Sequence, residues 1–229
     1  MSFDSQYAFN HFYEILQAAP VAVLVTVVSA FLGLFGGMLF CVVRLRRIPV
    51  LNTIVGLLVS LIRSTPILVQ LYVVCYGMPR IVAFVHQNPK FVSNVTIYPN
   101  TVAIVTFTLY ASAYFCEIFR SAYFQRESIK SLNLPAVHAV SRIIIPQAAI
   151  NAVPNISNSV IDMLKNTSLL YTISVMDIMA RATIIGSESF KYSEVYADAL
   201  IVYLGIAIIL FVLFAMLERM LKRFIPVES

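Results

Sequence analysis

Five polar side chains follow one another through an otherwise apolar stretch of the chain: Asn155, Asn158, Asp162, Lys165 and Asn166. An α-helix turns by about 100° per residue, so these positions share one helix face about 100° wide. Because exposing a charge to lipid costs at least about 2.5–3.5 kcal/mol, this face must contact water or protein inside a membrane. We interpret it as the lining of a substrate pathway. The alternative is an interhelical hydrogen-bond network that holds the protein together.

Asp162 is the most informative member of this polar face. A carboxylate in a pathway indicates a cargo that carries an ammonium or guanidinium group. Lys165 lies three residues further on and is within reach of the same carboxylate, so a local ion pair is the other interpretation. Thr167 and Ser168 follow directly and add hydroxyl groups at one end of the same predicted span.

A second polar group interrupts an earlier apolar stretch and consists of Arg63, Thr65, Pro66 and Gln70. Proline removes a backbone hydrogen bond and kinks a helix, which predicts free carbonyl groups for Thr65 or a ligand to bind. We assign all four residues to the pathway. Arg63 is expected either to bind a substrate carboxylate or to pair with Glu117 or Asp162.

Glu117 and Arg120 are three positions apart near the end of another apolar stretch. This spacing places their side chains next to each other on a helix surface. We expect them, together with Lys165, to be structural or gating partners rather than ligands of a substrate.

The composition identifies the chain as a membrane protein. It is 60% hydrophobic and 12% charged, whereas soluble domains carry about 25% charged residues. Residues 15–43, 91–116 and 199–217 contain no charge, and about 20 such residues cross a bilayer. We predict an all-α polytopic membrane protein, one domain over 1–229, with five spans at about 19–43, 52–76, 100–119, 154–173 and 198–217.

The basic residues predict the orientation of these spans. Most Lys and Arg side chains lie in 44–47, in 120–142 and after 217, whereas the opposite connections hold only Arg80, Lys90, Arg181 and Lys191. The positive-inside rule therefore predicts an extracellular N-terminus and a cytoplasmic C-terminus. The net charge of +5 follows from this asymmetry, and nothing in the sequence indicates nucleic-acid binding. The N-terminus has no basic residue before its first apolar stretch, unlike a secretory signal peptide.

Enzymatic chemistry is not expected of this chain. The three cysteines and three histidines are scattered, without the spacing of metal ligands, and no phosphate-binding GxxxxGK[ST] sequence is present. We predict no catalytic residue, no metal and no cofactor.

A polar, proline-containing segment, about 124–146, separates the third and fourth spans on the predicted cytoplasmic side. Residues 126–132 favour a short helix, Asn133 tolerates the left-handed conformation that ends helices, and Pro135 suits the first turn of a second helix that continues to Pro146. A bent helix pair of this kind is a docking element for a soluble partner. The alternative is an ordinary solvated loop.

This segment resembles the EAA loop of ABC importer permeases for polar amino acids. Glu127, Ser128 and Ile129 stand at the Glu-Ala-Ala positions, Ser131 and Leu132 match, Asn133 replaces glycine, and residues 144–148 match the closing Ile-Leu-Pro-Gln-Ala. Three further stretches are similar to the same family in the same order: "IRSTPILVQL" from Ile62, "AYFCEIFR" from Ala113 and "LKNTSL" from Leu164. Four motifs in order make the resemblance specific.

Two departures from the family pattern concern the loop. Ser128 and the bulky Ile129 replace two alanines, and only residues 121–126 separate the Glu-Ile-x-Arg motif from Glu127, a shorter interval than in relatives. Both changes bear on how the loop fits its partner.

The resemblance implies the type I ABC importer fold and a set of partners. These are a cytoplasmic ATP-binding subunit, a second permease copy or a sister permease, and an extracytoplasmic amino-acid-binding protein, in the bacterial inner membrane. The implied ATPase-coupling residues are Glu127, Ser128, Ile129, Ser131, Asn133, Pro135, Ala136, His138, Ala139 and Arg142. Glu127 and Arg142 are expected near the ATPase or in a local salt bridge.

We expect the cargo to be a polar amino acid, and Asp162 favours a basic one. Glutamine, cystine or another zwitterion is the alternative cargo. An ATPase-independent secondary transporter or channel, and a membrane-bound assembly subunit, are the alternatives to an importer permease.

Overall fold

The computed structural model describes residues 3–85, 98–127 and 145–224, and within these ranges the secondary structure is entirely helical. The α-helices are α1 (Ser5–Leu16), α2 (Ala19–Leu45), α3 (Leu51–Ser64), α4 (Ile67–Tyr72), α5 (Met78–Val85), α6 (Pro99–Glu127), α7 (Ile145–Asn166), α8 (Ile178–Ser189) and α9 (Tyr192–Phe224). A π-helical turn, Val73–Gly77, joins α4 to α5, and a 3-10 helix, Thr167–Ile173, continues α7. The predicted all-α class is confirmed.

The membrane spans are three long helices and two bent helix pairs. Helices α2, α6 and α9 are each long and apolar enough to cross a bilayer. Helix α3 is bent by 114° from the helices that follow it, and the continuation of α7 is bent by 52° from α8. When each bent pair is counted as one span, the five predicted spans result.

Two predicted boundaries differ from the structure for physical reasons. The last helix begins at Tyr192 rather than near 198. Its first turns contain the acids Glu194 and Asp198, which the helix can carry there because both side chains are buried against protein and do not face lipid. The helix of the fourth span begins at Ile145 rather than 154, with Pro146 in its first turn and Pro154 inside it. A hydropathy window stops at such charges and prolines. Helix α1 was not predicted.

The predicted coupling segment lies largely outside the described residues. The prediction that a short helix begins at Arg126 is wrong, because Arg126 and Glu127 are the last residues of α6. Ser128, Ile129, Ser131, Asn133, Pro135, Ala136, His138, Ala139 and Arg142 all lie outside the described residues. The coupling role of this segment therefore stays a prediction.

The closest helix packing joins α2 to α6 and depends on glycine. A Cβ atom added at Gly37 would lie 2.7 Å from the Cβ of Phe115, and one at Gly33 would overlap Ala111. The glycines let the two backbones approach, as small residues do at helix contacts in membranes. This contact borders the main apolar core, where Phe107 and Phe115 are fully buried.

We predict that Gly37→Leu destabilises the protein by about 3 kcal/mol or more, because an overpacked side chain forces helices apart. The measurement is thermal unfolding of the purified protein in detergent. Gly205→Leu is the matched control, since nothing lies within 4 Å of a Cβ added there. Equal unfolding temperatures for the two variants would contradict the close packing of α2 on α6.

Candidate functional site

A polar cavity of about 430 Å³ lies between α3, α6 and α7. Its lining includes Arg63, Tyr114, Glu117, Ser121, Asn155, Asn158, Ser159 and Asp162. Helix α7 supplies the amides and a carboxylate, α6 supplies a phenol and a second carboxylate, and α3 supplies the guanidinium. The structure thus brings together residues that the sequence places in three different predicted spans.

The polar face of α7 lines this cavity as its helical spacing predicts. Asn155, Asn158 and Asp162 are exposed, whereas Val160 and Met163 on the other side of the helix are buried in the core. An apolar side chain at any of the three polar positions would leave the cavity with fewer groups able to hydrogen-bond a ligand. The amides offer both donors and acceptors, which suits a zwitterionic or multiply polar ligand.

Asp162 pairs with its neighbour in this structure. The Nζ of Lys165 lies 3.3 Å from the Oδ1 of Asp162, and the side chain of Asp162 is 59% exposed. An ion pair this exposed contributes about 0–1 kcal/mol. A cationic ligand can therefore replace Lys165 as the ion-pair partner of this carboxylate.

Arg63 forms neither of the ion pairs expected as alternatives. Within the described residues, no salt bridge joins it to Glu117 or Asp162. Its guanidinium carbon instead lies 5.4 Å from the ring centroid of Tyr114, a cation–π distance. Stacking on a ring orients the guanidinium and leaves its N–H donors for a carboxylate ligand.

Glu117 is held by two arginines at one end of the cavity. Its carboxylate pairs with Arg44 of α2 and, at 3.2 Å, with Arg120 of α6. The predicted neighbour relationship of Glu117 and Arg120 is present, and the gating role stays a prediction. Sequence analysis missed Arg44, whose only signal was its position at the end of the first apolar stretch.

Side chains at the break between α3 and α4 donate hydrogen bonds to the backbone carbonyl groups there. The Oγ1 of Thr65 donates to the carbonyl of Leu61 at 2.9 Å, and the Nε2 of Gln70 donates to the carbonyl of Ile62 at 2.7 Å. Pro66 lies exposed at the corner. Of the two partners predicted for these carbonyl groups, Thr65 or a ligand, the structure shows Thr65, and Gln70 supplies a further donor.

Thr65 and Gln70 lie beside a different cavity from the polar one. This cavity measures about 190 Å³ and is lined mainly by apolar side chains of α3, α4 and α6. Thr65 and Gln70 are not among the residues that line the polar cavity with Arg63, and their role in the pathway stays a prediction. Both residues stabilise the bend.

We predict that Gln70→Leu costs about 1–3 kcal/mol of stability, because it leaves the carbonyl of Ile62 with only a long 3.5 Å bond from the Oγ1 of Thr65. Ser64→Ala is the control, since the hydroxyl of exposed Ser64 merely repeats a bond to the carbonyl of Leu61. Chemical unfolding monitored by circular dichroism compares the two. If Gln70→Leu were as stable as Ser64→Ala, the proposed brace would be absent.

The far end of the predicted polar face departs from prediction at Thr167. Its side chain is buried and its Oγ1 donates to the carbonyl of Leu164 at 2.7 Å. The change from α-helix to 3-10 helix at this residue alters the angle per residue. Buried Thr167 and half-buried Asn166 and Ser168 all lie outside the polar cavity lining. Their role in the pathway stays a prediction.

Helix α1 is clamped to the start of α9 by charges that sequence analysis did not single out. The Nζ of Lys191 donates to the Oδ2 of Asp4 at 2.6 Å, and the backbone N–H of Asp4 donates to Glu194 at 3.0 Å. The bond to Lys191 lowers the pKa of Asp4, and the bond to Asp4 raises the pKa of Lys191.

The pH range of this clamp follows from those two directions. The contribution of Asp4 is present above its unfolded pKa and is lost as the pH falls through its lowered folded pKa. The contribution of Lys191 is present below its unfolded pKa and is lost as the pH rises through its raised folded pKa. The clamp therefore persists across neutral pH.

Five apolar spans, two of them bent, beside a polar cavity are typical of a multi-pass membrane transport subunit. Residues 29–225 match the family model described as "Binding-protein-dependent transport system inner membrane component". The chain belongs to this family, and it is a permease subunit of the ABC importer class, which confirms the resemblance found in its motifs.

The chain is similar over nearly its full length to curated permeases. It is 32% identical over 225 residues to the probable amino-acid permease protein YxeN of Bacillus subtilis (strain 168), covering 96% of each chain. It is 33% identical over 219 residues to the probable amino-acid ABC transporter permease protein PatM of Vibrio harveyi, covering 92% of each. The L-cystine transport system permease protein TcyL of Bacillus subtilis (strain 168) is 32% identical over 209 residues, covering 89% of this chain and 85% of TcyL.

Solved structures share the fold. A chain of "an amino acid ABC transporter with histidines" superimposes with a TM-score of 0.80 at 24% identity, covering 96% of this chain and 99% of that one. A chain of the MetNI methionine ABC transporter gives 0.59 at 15% identity, covering 94% of this chain and 96% of that one. The predicted type I importer fold is confirmed.

Proposed function

We propose that this chain forms part of the translocation pathway of an ATP-driven importer for polar amino acids, with the polar cavity as the place where cargo passes. The observation that carries the proposal is the presence of Arg63 and Asp162 in one cavity lining. An α-amino acid has a carboxylate and an ammonium group, and these two side chains offer one opposite charge to each. Names of relatives such as the amino-acid permeases YxeN and PatM support the same substrate class.

A cationic amino acid is the cargo that the charges of the cavity favour. The lining carries the carboxylates of Glu117 and Asp162 and the guanidinium of Arg63. Glu117 is already neutralised by Arg44 and Arg120. Asp162 is then the acid with the weakest pairing, because its only ion-pair partner in the described residues is exposed Lys165. An ammonium or guanidinium on the cargo side chain replaces that partner.

A zwitterionic cargo such as glutamine or cystine is the second candidate. The observation that favours it is the ion pair between Lys165 and Asp162. If this pair persists during transport, the cavity presents no net negative charge and Arg63 alone fixes the substrate carboxylate. The similarity to the L-cystine permease TcyL fits this alternative.

The partners and orientation belong to the same proposal. A cytoplasmic ATP-binding subunit binds and hydrolyses ATP, since the chain has no phosphate-binding motif, and the segment 124–146 couples to it. A second copy or a sister permease covers the exposed polar face of α7, and an extracytoplasmic protein delivers the amino acid. The distribution of basic residues supports an N-terminus outside and a C-terminus inside.

Cysteine accessibility tests whether the polar cavity is the pathway. With Cys41, Cys75 and Cys116 replaced by alanine, Asn158→Cys is expected to react with a water-soluble cationic thiol reagent, and the transported amino acid is expected to slow that reaction. Leu204→Cys is the matched control, because Leu204 is an exposed apolar residue of α9. Equally slow reaction at both positions would assign the polar face of α7 to helix packing instead.

A further inference from the structure

The surface that carries α1 has the features of a membrane–water interface. Phe9, Tyr13 and Leu16 lie at helical spacing on one side of α1 and are all exposed. Tyr192 and Tyr196, in the first turns of α9, are exposed beside it. Tyrosine side chains concentrate at the headgroup level of bilayers, and an amphipathic helix with an apolar stripe lies along that level. Exposed residues of this kind are typical of a helix that lies at the membrane–water interface.

A second cavity, separate from the transport cavity, lies between α1 and α9 at this level. It measures about 380 Å³, and three aromatic rings, Phe3, Phe9 and Phe12, contribute to its lining. Ile201 forms the wall nearest the exposed apolar side chains of α9, including Leu200 and Leu204. The cavity thus borders the exposed apolar surface of α9.

One acid lines this aromatic cavity. Asp198 is only 4% exposed, and within residues 3–85, 98–127 and 145–224 its Oδ2 has no hydrogen-bond partner. The basic side chain that acts on Asp198 from α1 is His11, whose Nδ1 lies 3.0 Å from the carbonyl oxygen of Tyr7. A buried carboxylate oxygen without a partner is costly, and a cation offsets that cost. Neither the packing of α1 on α9 nor the proposed transport pathway requires a carboxylate at position 198.

We propose that this cavity binds an organic ammonium group, with Asp198 as its counter-ion and the phenylalanine rings around it. Aromatic faces attract ammonium ions through cation–π interaction, and a carboxylate supplies the opposite charge. Because the cavity opens beside the lipid-facing side of α9, the ammonium belongs to the headgroup of a zwitterionic lipid such as phosphatidylethanolamine. The bound headgroup fixes α1 to α9 at the membrane surface.

The absence of tryptophan from this chain provides a direct assay. Phe9→Trp places a single tryptophan at the cavity while retaining an aromatic ring, and excitation at about 295 nm avoids the tyrosines. The full-length protein is reconstituted in phosphatidylglycerol nanodiscs that contain a small fraction of phosphatidylethanolamine with brominated acyl chains. The comparison discs contain brominated phosphatidylglycerol at the same fraction. Bromine quenches tryptophan on close contact, so quenching reports which headgroup occupies the site.

Half of the tryptophan fluorescence is expected to be quenched at a lipid fraction roughly fivefold or more lower for brominated phosphatidylethanolamine than for brominated phosphatidylglycerol. This preference corresponds to a hydrogen bond between the ammonium and a charged group. Asp198→Asn is expected to abolish this preference. Glu188→Gln is the matched control, because it removes an exposed carboxylate of α8 and is expected to retain the preference. If Asp198→Asn does not fold, Phe12→Leu decides, with an expected loss of about threefold.

Two results would overturn the proposal. Equal quenching by both lipids, unaffected by Asp198→Asn, means that no ammonium site exists. Equal quenching by both lipids together with an Asp198-dependent response of the tryptophan to soluble ethanolamine means that the site takes a free amine and the lipid assignment is wrong. Transport assays play no part in this experiment, so its failure leaves the proposed function untouched.

Discussion

Asp162→Asn is expected to reduce ATP-driven uptake of a cationic amino acid roughly tenfold to hundredfold, because a hydrogen bond to a charged group is worth about 1.5–3 kcal/mol. The amide keeps the size of the side chain and removes only its charge. The measurement is initial uptake of labelled arginine, lysine and histidine into proteoliposomes that hold the complete transporter. Glu218→Gln is the matched control, because it breaks another short-range pair, with Lys222, away from the polar cavity.

Neutral substrates separate the two cargo proposals in the same vesicles. If glutamine or cystine is taken up and Asp162→Asn leaves the rate of uptake unchanged, Asp162 does not determine which amino acid is transported. The zwitterionic alternative then holds. Lys165→Ala complements Asp162→Asn, since it removes the ion-pair partner of the Asp162 carboxylate. For a cationic cargo we expect uptake by Lys165→Ala to be preserved or increased, whereas a structural ion pair predicts a loss.

The second large effect is expected at Glu117. Glu117→Gln leaves Arg44 and Arg120 without their shared counter-ion at the contact of α2 and α6, where the Glu117 side chain is only 23% exposed. Removing one partner of a buried pair costs about 3–5 kcal/mol, and partial exposure places the expected loss of stability at the lower end, about 3 kcal/mol. Thermal unfolding in detergent measures it.

A double variant tests the origin of that loss. Arg44→Gln combined with Glu117→Gln removes one of the uncompensated charges, so it is expected to recover part of the stability. If the double variant were less stable than Glu117→Gln by the full effect of Arg44→Gln, the two residues would act independently. The ion pair would then contribute nothing to the packing of α2 on α6.

The polar cavity shows what a single sequence can predict. Asn155, Asn158 and Asp162 line it because helical spacing alone places them on one face, and membrane energetics require that face to avoid lipid. Arg63 was assigned to the same pathway from its unusual position inside an apolar stretch. These predictions needed only local periodicity and the cost of burying charge.

Other features depend on contacts between distant parts of the chain. Gln70 was predicted to face a substrate, but its amide satisfies a backbone carbonyl eight positions earlier, which only the geometry of the bend reveals. Thr167 turns into the protein because the helix type changes there. Arg44 meets Glu117 across two helices, and Asp198 lies buried beside α1. Periodicity within one helix carries no information about such partners.

This chain is expected to transport only as part of an ATP-driven assembly. The most direct test is uptake of labelled arginine, lysine, histidine, glutamine and cystine into proteoliposomes that contain this chain and its binding protein, with and without the ATP-binding subunit. We predict uptake of at least one amino acid that requires both the ATP-binding subunit and ATP. Equal uptake without that subunit would contradict the importer assignment and indicate an independent transporter or channel.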